Sequence, residues 1–217
     1  MENFINIIIT VCAFIISIFF VTLIHELGHY FVARHIMKEP NIKINMGFFG
    51  KPIINTKSFR VNSVFFFGGY IGGYSNGAGT RFHNILLFMA GGTFTVLLGI
   101  PITLYISGGS ISLGDFIPFF GASPFRDNLF SVSMGQYGFA IPWLSLATPL
   151  DFFNAFMVFM RNMVGIFVLI AFLPYAYPFK GGWNPSDGLW ALKYIFNKVS
   201  EKDEAYALNA VREKDEK

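Results

Sequence analysis

Residues 4–30 read FINIIITVCAFIISIFFVTLIHELGHY, and this segment decides the fold. No charged side chain occurs between Phe4 and Ile24. At 1.5 Å per residue, a helix of this length crosses the roughly 30 Å hydrocarbon layer of a bilayer. The segment therefore predicts a membrane-spanning helix, which we expect to continue to about Ala33.

Three polar residues, His25, Glu26 and His29, follow the apolar run within one helical turn. Residues at i and i+4 share a helix face, so the two imidazoles are placed to bind one metal ion. Glu26 lies beside His25 without being a ligand, in the position of a general base for water activation. Single histidines at a helix end are often interfacial, but ionisable groups at membrane depth cost about 2.5–3.5 kcal/mol each and indicate function.

The HELGH motif at the end of an apolar helix resembles the site-2 protease family of intramembrane zinc metalloproteases. Two further parts of that family's pattern have counterparts here, Gly68-Gly69-Tyr70 and Asp187-Gly188. The resemblance implies a Zn²⁺ cofactor and covers residues 4–190.

The resemblance also implies substrate-binding residues. In that family a β-structured segment pairs with an unwound substrate, which implies this role for Gly68, Gly69 and Tyr70; an ordinary glycine turn is the alternative interpretation. Ala171 occupies the place of a family asparagine, and Asn184 is its predicted substitute.

The third zinc ligand must come from outside the first helix, because a catalytic zinc usually has three protein ligands. His35 lies roughly 240° around the helix from His29 and points away. Asp151 is predicted at the opposite membrane side, so Asp187 is the assigned ligand. His83 remains the rival, and an Asp-Gly turn that caps a helix at Leu189 is the alternative interpretation.

Composition indicates one membrane-embedded unit rather than a soluble domain. The 217 residues are 53% hydrophobic and 13% charged, with a mean hydropathy of +0.52. The net charge of +3 is too small to indicate nucleic-acid binding, and Cys12 is alone, so no internal disulfide forms. We predict a membrane-embedded protease core over 1–190 and an amphipathic, polar tail over 191–217.

The remaining periodicities complete the predicted fold. Ile85–Ile106 and residues 151–173 are apolar enough for a second and a third span, whereas 42–74 alternates like a β-hairpin or sheet. Prolines and glycines interrupt 128–150, which is predicted to be interfacial or re-entrant. The fold class is thus an α-helical polytopic membrane protein of about three transmembrane helices, with a small β-hairpin or sheet insertion after the first.

The loop between the first two helices is strongly basic, which predicts a cytoplasmic location. The N-terminus is then outside, the C-terminus cytoplasmic and the metal site near the cytoplasmic face. The basic residues, opposed only by Glu39, are Arg34, Lys38, Lys43, Lys51, Lys57, Arg60 and Arg81.

These features predict a zinc endopeptidase that cleaves peptide bonds within or next to membrane-spanning segments. Its expected partners are a membrane-protein or membrane-associated peptide substrate and the lipid bilayer, with no nucleic acid. A protease acting on soluble peptides at the membrane face uses the same chemistry. The alternative from another class is a membrane scaffold, a pseudoprotease that binds membrane segments without cleaving them; an intact Glu26 argues against it. The sequence does not specify the oligomeric state.

Overall fold

The computed structural model describes residues 2–66, 68–73, 79–106, 149–179, 182–196 and 198–199. Residues 128–148 of the predicted interfacial segment therefore lie outside the described residues. The tail from residue 200 lies outside them as well. The chain divides into two compact units, one formed by 1–21 with 95–169 and the other by 22–94 with 170–217.

Four α-helices are described. A helix pairs its backbone N–H and C=O groups within its own segment, which suits an apolar setting. The first ends in a short π-helical turn, Val32–Ile36. The helices are α1 (Glu2–Phe31), α2 (Arg81–Ile106), α3 (Pro149–Phe172) and α4 (Asp187–Ile195).

Two of the described segments, Val11–Ile36 and Arg81–Ile102, are long and apolar enough to cross a membrane. Together with the sheet after α1, they fit a membrane protein with a sheet insertion. Helix α3 coincides with the predicted third span, within which Met163–Phe172 is an apolar stretch. A count of three spans stays a prediction.

The segment predicted as a hairpin or sheet forms a four-stranded mixed sheet. Its order is β2-β3-β1-β4, in which β1 pairs parallel with β3 and antiparallel with β4, while β2 and β3 are antiparallel. Strand β4 is therefore an edge strand. The strands are β1 (Lys43–Met46), β2 (Phe49–Asn55), β3 (Phe59–Val64) and β4 (Gly69–Gly72).

The first unit has an apolar core in which Val21 of α1 meets Ile102 of α2 and Met160 and Val164 of α3. Burial of such side chains favours packing by about 25 cal/mol per Å² of apolar surface where water is the alternative. In lipid the same fit acts through van der Waals contact.

The second unit contains the HELGH turn, the sheet, the first part of α2 and all of α4. Its core includes Val32 and Ala33 of the π-helical turn, Ile42 before β1, and Leu87 and Ala90 of α2. This packing fixes the start of α2 against the end of α1, which is the arrangement on which the site depends.

Helix α4 is held against α2 by aromatic and polar contacts. Phe88 stacks on Trp190 and Tyr194, with ring centroids 5.6 and 5.8 Å away. Arg81 donates hydrogen bonds to the carbonyls of Tyr194 and Ile195, which are among the last carbonyls of α4. The opposite end of α4, where Asp187 lies, is thereby oriented toward the HELGH turn.

Candidate active site

His25, His29 and Asp187 meet at a single point within the second unit. Asp187 Oδ2 lies 3.1 Å from His25 Nε2 and 3.2 Å from His29 Nε2, and the two Nε2 atoms are 3.2 Å apart. Both histidines are buried, and Asp187 is partly buried. Within the described part of the chain, this is the one group of His, Cys, Asp and Glu residues arranged to hold a metal ion.

The tautomer of His29 follows from its other ring nitrogen. Nδ1 lies 2.7 Å from the carbonyl oxygen of Leu87, and because a carbonyl only accepts, Nδ1 carries the proton and donates it. In the neutral ring Nε2 then has a free lone pair, directed at the meeting point. A backbone carbonyl that orients an imidazole in this way is a common outer-shell partner of a metal-binding histidine.

The spacing of the three atoms fits a bound metal as well as it fits hydrogen bonds. Ligand atoms bound at about 2.0 Å in a tetrahedron are about 3.3 Å apart, close to the separations seen here. With His29 in its neutral form, no proton lies between its Nε2 and the Asp187 carboxylate, so the two lone pairs repel each other. A cation shared by all three atoms removes that repulsion.

Gly91 of α2 leaves open the volume that such a cation requires. A side chain at this position would place its β-carbon 2.7 Å from both Nε2 and Cε1 of His25, and closer still to Nε2 of His29. These separations are shorter than any normal carbon–nitrogen contact. The residues present therefore fit a bound metal, and the missing side chain of Gly91 is part of that fit.

Asp187 reaches the two histidines because Ser186 fixes the start of α4. The Ser186 hydroxyl accepts from the backbone N–H of Leu189 and donates to the carbonyl of Leu173 at 2.7 Å. It also accepts from the N–H of Tyr175. The capping function that the sequence alternative gave to Asp187 thus belongs to Ser186, and the Asp187 carboxylate faces the imidazoles instead.

A two-stranded hairpin occupies the stretch between Leu173-Pro174 and Asp187. Its strands, β5 (Ala176–Phe179) and β6 (Gly182–Pro185), pair antiparallel. The N–H of Ser186 donates to the Tyr175 carbonyl at 2.8 Å and closes the base of the hairpin. The hairpin therefore loops out and returns the chain to the end of α3, and Gly188 packs against the Phe172 carbonyl there.

The charge of Asp187 suits a metal ligand. Burial alone would raise the pKa of its carboxyl, but without a metal the charge of the protonated His29 ring and the hydrogen bonds from His25 and His29 outweigh this effect and hold the pKa below its usual value. Burial and the Asp187 charge together raise the pKa of the Tyr175 phenol.

Glu26 lies against the edge of the sheet. It is buried, and its γ-carbon is 2.8 Å from the place a β-carbon on Gly69 would occupy. Strand β4 can approach α1 this closely only because Gly69 has no side chain. The edge strand and the candidate general base are thus direct neighbours.

The family model for "Peptidase family M50" matches residues 13–210, nearly the whole chain. The chain belongs to this family. Peptidase family M50 is the site-2 protease family, and its proteases are metal-dependent, so the resemblance inferred from HELGH is confirmed. Membership supports a metalloprotease function of the site-2 protease type, and with the two apolar helices it indicates a membrane protein. No curated protein and no solved structure matches the sequence significantly.

The other residues considered for the site of this M50 protein lie away from the meeting point, or their side chains lie outside the described residues. His35 is exposed and packs on the Phe31 ring, and neither it nor His83 belongs to the metal-binding group. Asn184 pairs with Tyr177 across the hairpin. The side chains of Asn184 and Asp151 fall outside the described residues, so the role of Asn184 stays a prediction.

The predicted substrate segment lies at the sheet edge. Tyr70 pairs with Asn45 and stacks on Phe48, with ring centroids 6.0 Å apart. Gly68 has a positive φ of 69° and packs against the Phe48 ring, where a side chain would collide. The Gly68 carbonyl accepts a hydrogen bond from the N–H of Gly47 at 2.8 Å. These contacts fix the entry to β4.

Sequence reasoning missed two residues of this M50 site, Gly91 and Ser186. The Ala90-Gly91-Gly92 run is typical of simple helix packing, and Gly92 does pack against the Phe172 ring. Only the adjacent glycine faces the histidines. Ser186 carried a usable signal, because serine directly before a helix is a preferred N-cap.

Proposed function

We propose that this M50 protein is a zinc endopeptidase that cleaves peptide bonds within or next to membrane-spanning segments. The observation that carries the proposal is the convergence of His25, His29 and Asp187, with Glu26 adjacent. Two imidazoles and one carboxylate are a common protein ligand set of catalytic zinc, and three protein ligands leave one position open. When bound, zinc would act as a Lewis acid that lowers the pKa of water and polarises the scissile carbonyl.

In this proposal Glu26 is the general base. It accepts a proton from the attacking water and transfers it to the leaving amine. The carbonyl carbon gains the hydroxyl group and the amine nitrogen gains the proton, so one water molecule is consumed for each bond cleaved. His29 is held in the metal-binding tautomer by the Leu87 carbonyl, and Asp187 supplies the negative charge. The burial of Glu26 limits competition from bulk solvent.

The edge strand β4 is the proposed docking place for the substrate. A helical peptide bond is shielded by its neighbours, whereas an extended segment can add to a free strand edge through backbone hydrogen bonds. Gly69 lies directly against Glu26, so a peptide added beside β4 would pass close to the base. Gly68 and Tyr70 flank this point and are proposed to shape the same binding surface.

The proposed topology follows from charge. The basic loop between α1 and α2 favours the cytoplasmic side, as do Lys193 and Lys198 after α3. Since His25 and His29 lie in the candidate span that ends at this loop, the site would open toward the cytoplasmic face.

Cleavage by the reconstituted protein tests the proposal. Tagged single-span proteins and leader peptides are incubated with zinc-loaded wild type, Glu26→Gln and a control with the same chemical change, Glu39→Gln. We expect product from wild type and the control, none from Glu26→Gln, and equal zinc in all three. Cleavage by Glu26→Gln at the wild-type rate would refute the role of Glu26. Binding of membrane segments by wild type without any cleavage would favour the scaffold function.

A further inference from the structure

The hydroxyl of Thr22 is buried without a protein partner. Thr22 is 1% exposed, and its Oγ1 makes no hydrogen bond to the described residues. A buried hydroxyl left unpaired loses the hydrogen bonds it would make in water, and native structures rarely tolerate that loss. An unpartnered group in this position therefore indicates that something polar binds to it.

Two other helical hydroxyls among the described residues behave differently. Ser17 donates to the carbonyl of Ala13 at 2.7 Å, and Thr93 donates to the carbonyl of Met89 at 2.9 Å. Both use the carbonyl four residues earlier, the usual partner of serine and threonine within a helix. Thr22 does not make this bond, so its hydroxyl remains available for another partner.

The location of Thr22 points to that partner. Thr22 lies four residues before Glu26 on the same face of α1, and long helical side chains such as that of Glu26 lean toward the preceding turn. Both side chains border Gly69: the Thr22 γ2-methyl is 3.0 Å and the Glu26 γ-carbon 2.8 Å from the place of a β-carbon there. Thr22 and Glu26 therefore line one wall beneath strand β4.

We propose that Thr22 holds an ordered water molecule against the Glu26 carboxylate and is a positioning residue of the site. A buried water needs two to four polar partners, and here a hydroxyl that donates and accepts lies one helical turn before a carboxylate that accepts. Each hydrolysis consumes one water, while Glu26 and the two histidines are at most 8% exposed. The Thr22 hydroxyl supplies a hydrogen-bonding site for a water molecule next to the general base. This inference rests on the proposed protease function.

The test replaces the hydroxyl without changing the shape of the side chain. Thr22→Val keeps the branched form and removes the hydroxyl, whereas Thr22→Ser keeps the hydroxyl. Thr93→Val is the control for losing a helical hydroxyl at an exposed position. We expect Thr22→Val to lower kcat about tenfold, as for one lost hydrogen bond, with KM and zinc content unchanged. Thr22→Ser and Thr93→Val should stay within about twofold of wild type.

Other outcomes would overturn the inference. Wild-type kcat in Thr22→Val would show that the hydroxyl does nothing. Equal losses in Thr22→Val and Thr22→Ser, or a loss of zinc in Thr22→Val, would assign Thr22 a packing role only. Each of these results leaves the protease function standing, which fails instead if wild type cleaves no substrate or Glu26→Gln cleaves normally.

Discussion

His25 Nε2 and Asp187 Oδ2 lie 3.1 Å apart although 162 residues separate them along the chain. One residue comes from the end of the first apolar helix and the other from the first turn of the last described helix. A metal bound between them would cross-link α1 and α4. Because a ligand that binds only the folded state stabilises it, metal binding should also stabilise this unit.

The first prediction concerns Asp187. Asp187→Ala removes one of three ligands and should weaken zinc binding by more than the roughly 10- to 100-fold typical of losing an outer-shell partner. Proteolysis and the metal-dependent gain in thermal stability should disappear with it. Zinc titration followed by thermal unfolding measures both. Asp151→Ala is the matched control, and the assignment is wrong if that variant loses zinc while Asp187→Ala keeps it.

The second prediction concerns Gly91. Gly91→Ala places a methyl group against both histidine rings and should reduce zinc affinity at least about tenfold. Alanine favours a helix over glycine by about 1 kcal/mol, so the helix itself is not weakened. Zinc content by atomic emission, with Thr93→Ala as a control at an exposed position of α2, gives the answer. Unchanged zinc binding would mean that the space at Gly91 is not needed.

A third prediction separates substrate docking from metal binding. Gly69→Ala introduces a β-carbon against Glu26 and Thr22, and strand β4 or the base must move. We expect kcat/KM to fall about hundredfold, the cost of a misplacement of about 1 Å, with zinc retained. Ile53→Ala, an exposed position on the opposite edge strand, should leave kcat/KM near the wild-type value. Equal activity of the two variants would argue against docking at β4.

The fourth prediction is the topology. In a Cys12→Ser background, single cysteines at positions 3 and 214 are labelled with a membrane-impermeant reagent added from outside. We expect labelling at position 3 and protection at position 214 until the membrane is permeabilised. The reason is that a basic loop stays on the cytoplasmic side, which places the N-terminus outside and the C-terminus inside in the three-span topology. Protection at both positions, or labelling only at position 214, is incompatible with the proposed orientation.

Local pattern predicted much of this M50 protein. Helix α2 was predicted at Ile85–Ile106 and begins one turn earlier, at Arg81. The sheet was predicted from alternation over 42–74, but its parallel β1–β3 pairing was not. Alternation determines which side chains share a face and does not select the partner strand.

The sequence by itself determined the helical HELGH turn, the membrane class and the family. These properties depend on local chemistry: apolar length and the i, i+4 spacing of His25 and His29. Tertiary structure alone decided that Asp187 reaches these histidines and that Gly91 leaves space between them. Both outcomes depend on how α2 and α4 pack against α1, which arises from contacts between residues distant in the chain. The hairpin before Ser186 illustrates the reason: residues 176–185 leave the end of α3 and return to it, so that Asp187 begins α4 beside the histidines.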